Sequence, residues 1–270
     1  MLRRRLDIAA PTHDDRPGVK GVRRGTEVAG ILFAAAKANR LIAELPEEAY
    51  GLWADQLKAV GMRPGDVLHE PGRQMSHVYF PTTGVVSLVH VLENGASAEI
   101  AVVGNEGIVG ISAFMGGHST PNLSVVRAAG RGFRLPVAAL VHAFDQRGAL
   151  ARLLLRYTQA LMTQMSQTAV CNRHHSLDQQ FCRLLLFGLD RQLTLDLWMT
   201  QELIANMLGV RREGVTEAAV ALQKAGLIRY ARGHITILDR QALERRSCEC
   251  YAVVTAEYNR LLPGKPASRP

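Results

Sequence analysis

The chain has 270 residues, 47% of them hydrophobic, enough for one large domain or two ordinary ones with packed cores. Four cysteines, at 171, 182, 248 and 250, do not form a disulfide framework, and no apolar run is long enough to span a membrane. The formal charge of +8 leaves open a polyanionic partner, while Arg3-Arg4-Arg5 leads into neither an apolar segment nor a cleavage site, so a cytoplasmic protein is expected.

The charge is concentrated at the two ends. Residues 1–25 hold seven Lys/Arg against three Asp, and residues 197–246 hold eight Lys/Arg against five Asp/Glu. A nearly neutral middle between basic ends suits a polyanion-binding module joined to a part with a different task. The first 25 residues mix Arg, Asp, Pro and Gly without periodicity and read as a disordered basic tail. From Thr26 to Ala59 the pattern is helical, with Ile31, Leu32 and Ala35, then Leu41, Ile42 and Leu45, as apolar patches. Pro46, Glu47 and Glu48 open a further helix carrying Leu52, Trp53 and Leu57.

At Met62 the period changes. Short β-rich runs follow at Val67–His69, Val78–Phe80, Val85–Leu92, Ala98–Val103, Leu123–Ala128 and Gly132–Leu135, with a tight turn at Asn94-Gly95. They predict a small β-barrel or jelly roll. Between them lies a Gly-punctuated loop, Gly104–Gly117, with a helical piece around Ile111–Met115. Pro136 opens a helix through Phe144, and a much longer one is predicted over Ala149–Arg173. Leu150, Leu154, Tyr157, Leu161, Gln164, Thr168 and Cys171 recur on it at heptad spacing, with Leu153, Met162 and Met165 widening the apolar face. Such a seam predicts a coiled-coil partner, hence a homodimer, against the alternative of a helix packed on its own domain. Leu177–Leu189 reads as a buried helix, and Thr194–Trp198 as a connecting strand.

The most informative stretch is Thr200–Ala219. Thr200 is a good N-cap, Leu203, Ile204, Met207 and Leu208 fall at helical spacing, and Gly209 ends the helix. Val215, Ala218, Ala219 and Leu222 form the apolar face of a second helix that begins near Arg211-Arg212-Glu213. This is a helix-turn-helix pattern, whose second helix enters the DNA major groove. Leu227–Tyr230 and His234–Leu238, joined by Ala231-Arg232-Gly233, add a hairpin and make it a winged helix.

With that order of parts, the chain resembles Crp/Fnr-family transcription regulators over residues 39–246. The resemblance is most specific in Met199–Ile228, including Leu208-Gly209-Val210, Arg212-Glu213 and Ala225-Gly226-Leu227-Ile228. In the preceding domain it rests on Gly72, Asn94-Gly95, Val102-Val103-Gly104 and Gly107. It implies an α+β protein: a cyclic-nucleotide-binding-like jelly roll (26–148), a dimerisation helix (149–175), a winged helix-turn-helix (176–246) and a C-terminal helix and tail (247–270). It also implies a homodimer on double-stranded DNA, with RNA polymerase as protein partner and no membrane association.

Two departures narrow the reading. Cyclic-nucleotide-binding members carry Gly-Glu-Leu and Arg-Ser-Ala segments for the ribose and phosphate, where this chain has Gly110-Ile111-Ser112 and Asn122-Leu123-Ser124. Without the Arg–phosphate fork the cyclic phosphate stays uncompensated, so weak or no cyclic AMP binding is expected. Glu106, Asn122, Arg127, Gln164 and Thr168 are candidate lining residues for some other, unknown effector. The family's oxygen sensors hold an iron–sulfur cluster with N-terminal cysteines, and residues 1–60 contain none.

Arg212 and Glu213 match the family's base-reading pair, Arg donating to guanine and Glu accepting from cytosine. Glu217 replaces a third reader, commonly Arg, so the target should differ there. Arg211, Thr200 and Gln201 are candidate phosphate contacts, and Thr216 joins the candidate DNA-binding set. Gly214 leaves room for the backbone to approach a phosphate. Cys171, His174, His175, Cys182, Cys248 and Cys250 have spacing that gives poor support to a metal site, which would need these pieces to converge in space. Buried inert thiols, with neither metal nor cofactor, are the expectation. No nucleophile elbow, phosphate loop or zinc-protease motif points to an enzyme. The competing reading is a redox- or metal-responsive sensor acting mainly through a protein partner.

Overall fold

The computed structural model describes residues 34–51, 53–192 and 195–262. The predicted tail at 1–25, the positions Ile31, Leu32, Leu52 and Thr194, and residues 263–270 lie outside them.

Asn39 anchors the first described elements. Its side-chain oxygen caps helix α1 (Arg40–Ala43), and its amide nitrogen donates to the carbonyls of Pro81 and Gly107, both at 2.8 Å. Helix α2 (Glu47–Gly51) is shorter than the sequence period predicts. The chain is already a strand, β1 (Lys58–Met62), where helical spacing was expected to run to Ala59. The cause is long-range: β1 pairs antiparallel with β7 (Gly130–Pro136), Lys58 opposite Arg134 and Met62 opposite Gly130. A local pattern cannot register a partner seventy residues away.

The remaining strands are β2 (Val67–His69), β3 (His77–Pro81), β4 (Val85–Val91), β5 (Ser97–Val103) and β6 (Leu123–Ala128). They form two antiparallel sheets, ordered β1-β7-β3 and β2-β6-β4-β5. The architecture is jelly-roll-like rather than a closed barrel, with Val78, Phe80 and Leu135 of one sheet and Val86, Val103 and Val126 of the other contributing to a single core. The β4–β5 hairpin closes at Asn94-Gly95, where Gly95 takes a φ of 84° that a side chain would strain. Ile111–Ala113 is a single 3-10 turn.

Helix α3 (Val137–Asp145) leads into α4 (Ala149–His174), α5 (Leu177–Asp190) and strand β8 (Asp196–Trp198). A capping box turns α4 into α5: Ser176 accepts from the Gln179 backbone, and the Gln179 side chain accepts from the Ser176 backbone. The helix-turn-helix is α6 (Gln201–Leu208) and α7 (Arg212–Lys224), followed by β9 (Ile228–Ala231), β10 (His234–Ile237), α8 (Arg240–Arg246) and α9 (Glu249–Leu261). The wing is a three-stranded sheet, β8-β10-β9, closed by a two-residue turn with positive φ at Arg232 and Gly233. None of the described helices is long and apolar enough to cross a membrane.

One expectation for α4 is overturned. The seam Leu150, Leu154, Tyr157, Leu161, Gln164, Thr168 and Cys171 is buried within a single chain. It packs on β5 and on α9, whose Tyr251, Val254, Tyr258 and Leu261 are spaced to cover it. Gln164 belongs to this packing: it exchanges hydrogen bonds with both backbone groups of Val102 and donates to the Tyr258 hydroxyl. The apolar side chains left in solvent lie on the opposite face, with Leu155 at 56%, Met162 at 58% and Val170 at 49% exposure.

Candidate nucleic-acid interface

Helix α6 braces and α7 presents. Thr200 caps α6 by accepting from the Leu203 N–H at 3.1 Å, and Gly209 closes it with a φ of 67°. Ile204, Ala205, Met207 and Leu208 are buried, and so are Val215, Ala218, Ala219 and Leu222 of α7. Leu203, predicted on the buried side, is instead partly exposed. With the apolar faces so spent, the N-terminal end of α7 turns its polar side chains outward. Arg211, Arg212, Glu213 and Glu217 are all exposed. Arg212 and Glu213 stand in the first turn and Glu217 one turn further on, so they share the solvent side of one helix end.

The other predicted contacts are partly engaged. Thr216 Oγ1 donates to Gln201 Oε1 at 3.0 Å, tying the two helices together beside the exposed end. Gly214 serves packing: a Cβ there would come within 2.9 Å of Leu177 Cδ2, so the missing side chain faces α5 and not a phosphate. On the wing, exposed Trp198 stacks on His234 with ring centroids 4.5 Å apart, and His234 Nε2 lies 3.0 Å from Asp196.

Of the candidate effector residues, Gln164 and Thr168 border one described cavity, which Glu106, Asn122 and Arg127 do not line. Asn122 Oδ1 lies 3.1 Å from His90 Nδ1 on the sheet surface. Glu106 and Arg127 sit in buried ion pairs, Arg191–Glu106 at 2.7 Å and Arg127–Glu99 at 3.2 Å. Burial pulls the Arg127 pKa below its ordinary value, with the Glu99 carboxylate opposing. Thr168 accepts from Arg183 at 3.0 Å. That cavity, bordered also by Glu99 and Arg183, has a volume of about 10 Å³, the size of a single water and far too small for a nucleotide.

Sequence spacing missed a second cluster. Cys171 at the end of α4, His175 at its C-cap, and Cys248 and Cys250 at the start of α9 bring their ligand atoms within 4.8 Å of one another. Cys182 and His174 are not part of it. Hydrogen bonding to Cys248 raises the Cys171 thiol well above its ordinary range, and the same contact lowers Cys248, helped by the Cys250 backbone and by His175. The signal was present in the chain, since two cysteines stand at the start of α9 and a cysteine and a histidine lie one turn apart at the end of α4.

Comparison with known proteins agrees with this geometry. Residues 60–147 match the cyclic nucleotide-binding domain, and residues 179–246 match the Crp-like helix-turn-helix domain. The global nitrogen regulator of Synechococcus elongatus is 23% identical over 191 residues, covering 67% of this chain and 86% of that protein. The same fold is found in a Crp/Fnr-family transcriptional regulator from Eubacterium rectale, 21% identical with a TM-score of 0.60, covering 77% of this chain and 98% of the other. It is found as well in a CRP-family regulator from Thermus thermophilus, 23% identical with a TM-score of 0.57, covering 70% of this chain and 96% of that one. A cyclic-nucleotide-binding-like jelly roll, a long helix and a Crp-like winged helix-turn-helix place this chain in the Crp/Fnr family of DNA-binding transcription regulators.

Proposed function

We propose that the protein works as a homodimer that reads a roughly palindromic promoter site, with RNA polymerase as its protein partner and without cyclic AMP as effector. The observation that carries the reading is the exposed end of α7, where Arg212 and Glu213 stand clear of the fold in its first turn. Arg212 would donate to guanine O6 and N7, and Glu213 would accept from cytosine N4. Arg211, at the N-cap of α7, and the capped start of α6 at Thr200 and Gln201 would follow the phosphates. Dimerisation is supported by the exposed stripe Leu155, Met162 and Val170 on α4, which lies opposite the face already used within the chain. Two such chains would set their α7 helices into half-sites about 34 Å apart.

The reading without cyclic AMP is supported by Ile111 and Asn122, where a carboxylate and a guanidinium would be needed, and by the absence of room beside Gln164 and Thr168. The domain limits 26–148, 149–175, 176–246 and 247–270 belong to the same proposal.

Selection of genomic fragments by the purified full-length protein, without added ligand and at fixed salt, tests it. Recovery of one palindromic site is expected, unchanged by cyclic AMP. Sequence-blind binding that vanishes as salt rises would reflect phosphate contacts alone and would overturn the reading.

A further inference from the structure

We propose that Cys171, His175, Cys248 and Cys250 form a tetrahedral site for a single zinc-class divalent ion, which fastens the C-terminal helix to the end of the long helix. Cys171 Sγ lies 3.4 Å from Cys248 Sγ, and Cys250 Sγ lies 3.5 Å from His175 Nδ1. Ligands about 2.3 Å (sulfur) and about 2.0–2.1 Å (nitrogen) from a tetrahedral ion stand roughly 3.5–3.8 Å from each other. The two observed separations come within about 0.4 Å of those edges, and all four ligand atoms lie within 4.8 Å of one another, so small side-chain adjustments close the set around one ion. A polynuclear iron–sulfur cluster spreads its ligands over several irons and needs a wider set. Three thiolates and an imidazole are the donors that select zinc over magnesium or calcium.

The surroundings are built for ligation. The three cysteines are 0%, 3% and 1% exposed and form a buried cluster of their own, apart from the main core. A histidine ligand ordinarily gives its other ring nitrogen to a carboxylate, which fixes its orientation. Here His175 Nε2 lies 3.2 Å from Glu249, which leaves Nδ1 turned toward the sulfurs. The Gln180 amide donates to the carbonyls of Cys171 and His175, at 3.4 and 2.9 Å, holding both ligand-bearing backbones. Cys248 and Cys250 sit at the N-terminus of α9, where the helix favours thiolates. Three thiolates with a divalent ion leave one negative charge, and the nearby Arg183 guanidinium offsets it. A disulfide between Cys171 and Cys248 would account for two of these groups and leave Cys250, His175 and Glu249 without a purpose.

Elemental analysis of the full chain, purified without chelator, tests the proposal together with cobalt substitution. About one zinc ion per chain is expected, and cobalt(II) should give thiolate charge-transfer bands and the d–d spectrum of a tetrahedral ion. Cys250→Ser should lose the ion, while Cys182→Ser, outside the cluster, should keep it. Glu249 is a surface residue, so Glu249→Gln keeps the fold and should weaken binding about tenfold, which holds the test open should Cys250→Ser fail to fold. A chain that takes up neither zinc nor cobalt overturns the proposal. So does a Cys250→Ser variant with undiminished metal, or a metal-free protein carrying a Cys171–Cys248 disulfide.

Discussion

Arg212, proposed above to read a base, owes little to packing. Its backbone is set by the first turn of α7, and its side chain is exposed, so the charge is fully available for DNA. Replacing it should remove a base contact without disturbing the fold. Arg212→Ala is expected to weaken binding to the selected site by roughly 1–3 kcal/mol, about 5- to 150-fold, with near-native thermal stability. Fluorescence anisotropy on the site and on a scrambled duplex at one salt concentration checks this. Equal losses on both would make Arg212 a phosphate contact. Glu217 is the complementary case: exposed on the same end, it cannot donate to guanine, and under the proposed reading it would mark where this target departs from others. Gly214 corrects a reading made from the chain alone, because its bare Cα answers to Leu177 inside the fold.

Helix α4 carries two apolar faces, and the structure separates their tasks. The heptad face is covered by β5 and α9 of the same chain, which explains why Gln164 and Thr168 lie in it. Their polar groups are met by Val102, Tyr258 and Arg183 rather than by a partner helix. The second face is the stripe of Leu155, Met162 and Val170. Charges there should cost nothing in the monomer and oppose association, since each apolar side chain buried at an interface contributes about 1.5–3 kcal/mol. Leu155→Glu combined with Met162→Glu is therefore expected to raise the dimer dissociation constant at least about a hundredfold and to abolish operator binding. Sedimentation velocity across a concentration series reads the first effect. An unchanged dimer would move the interface elsewhere.

Across the whole molecule, the jelly roll is joined to the DNA-binding end through buried charge. Arg191, which caps α5, reaches Glu106 of the jelly-roll domain at 2.7 Å, and both side chains are under 8% exposed. Beside them the Arg127–Glu99 pair links β6 to β5, and Gly188 of α5 leaves room for Arg127 Nη2. Such pairs add little over an apolar substitute, but breaking one partner strands the other. Glu106→Ala should destabilise the chain by about 3–5 kcal/mol, and Glu106→Met with Arg191→Met by clearly less than the two single changes summed. Urea denaturation of the wild type, Glu106→Ala, the two single Met variants and the double Met variant measures both. Full additivity would mean that the pair is not coupled.

Local rules in the chain determined the winged helix-turn-helix almost completely, because its signals are short-range: the cap at Thr200, the positive φ at Gly209, and apolar positions three and four residues apart. The strands of the jelly roll were legible for the same reason, from period-two runs and the Asn94-Gly95 turn. What the tertiary structure alone decided involves partners distant in sequence. Strand β1 exists because β7 pairs with it, and the seam of α4 is intramolecular because α9 returns to cover it. The convergence of Cys171 and His175 with Cys248 and Cys250 needs the same return of α9 to the end of α4. Periodicity records that a face will be buried, but it carries no information about what buries it, since an apolar contact is non-directional and any complementary surface of the chain can supply it.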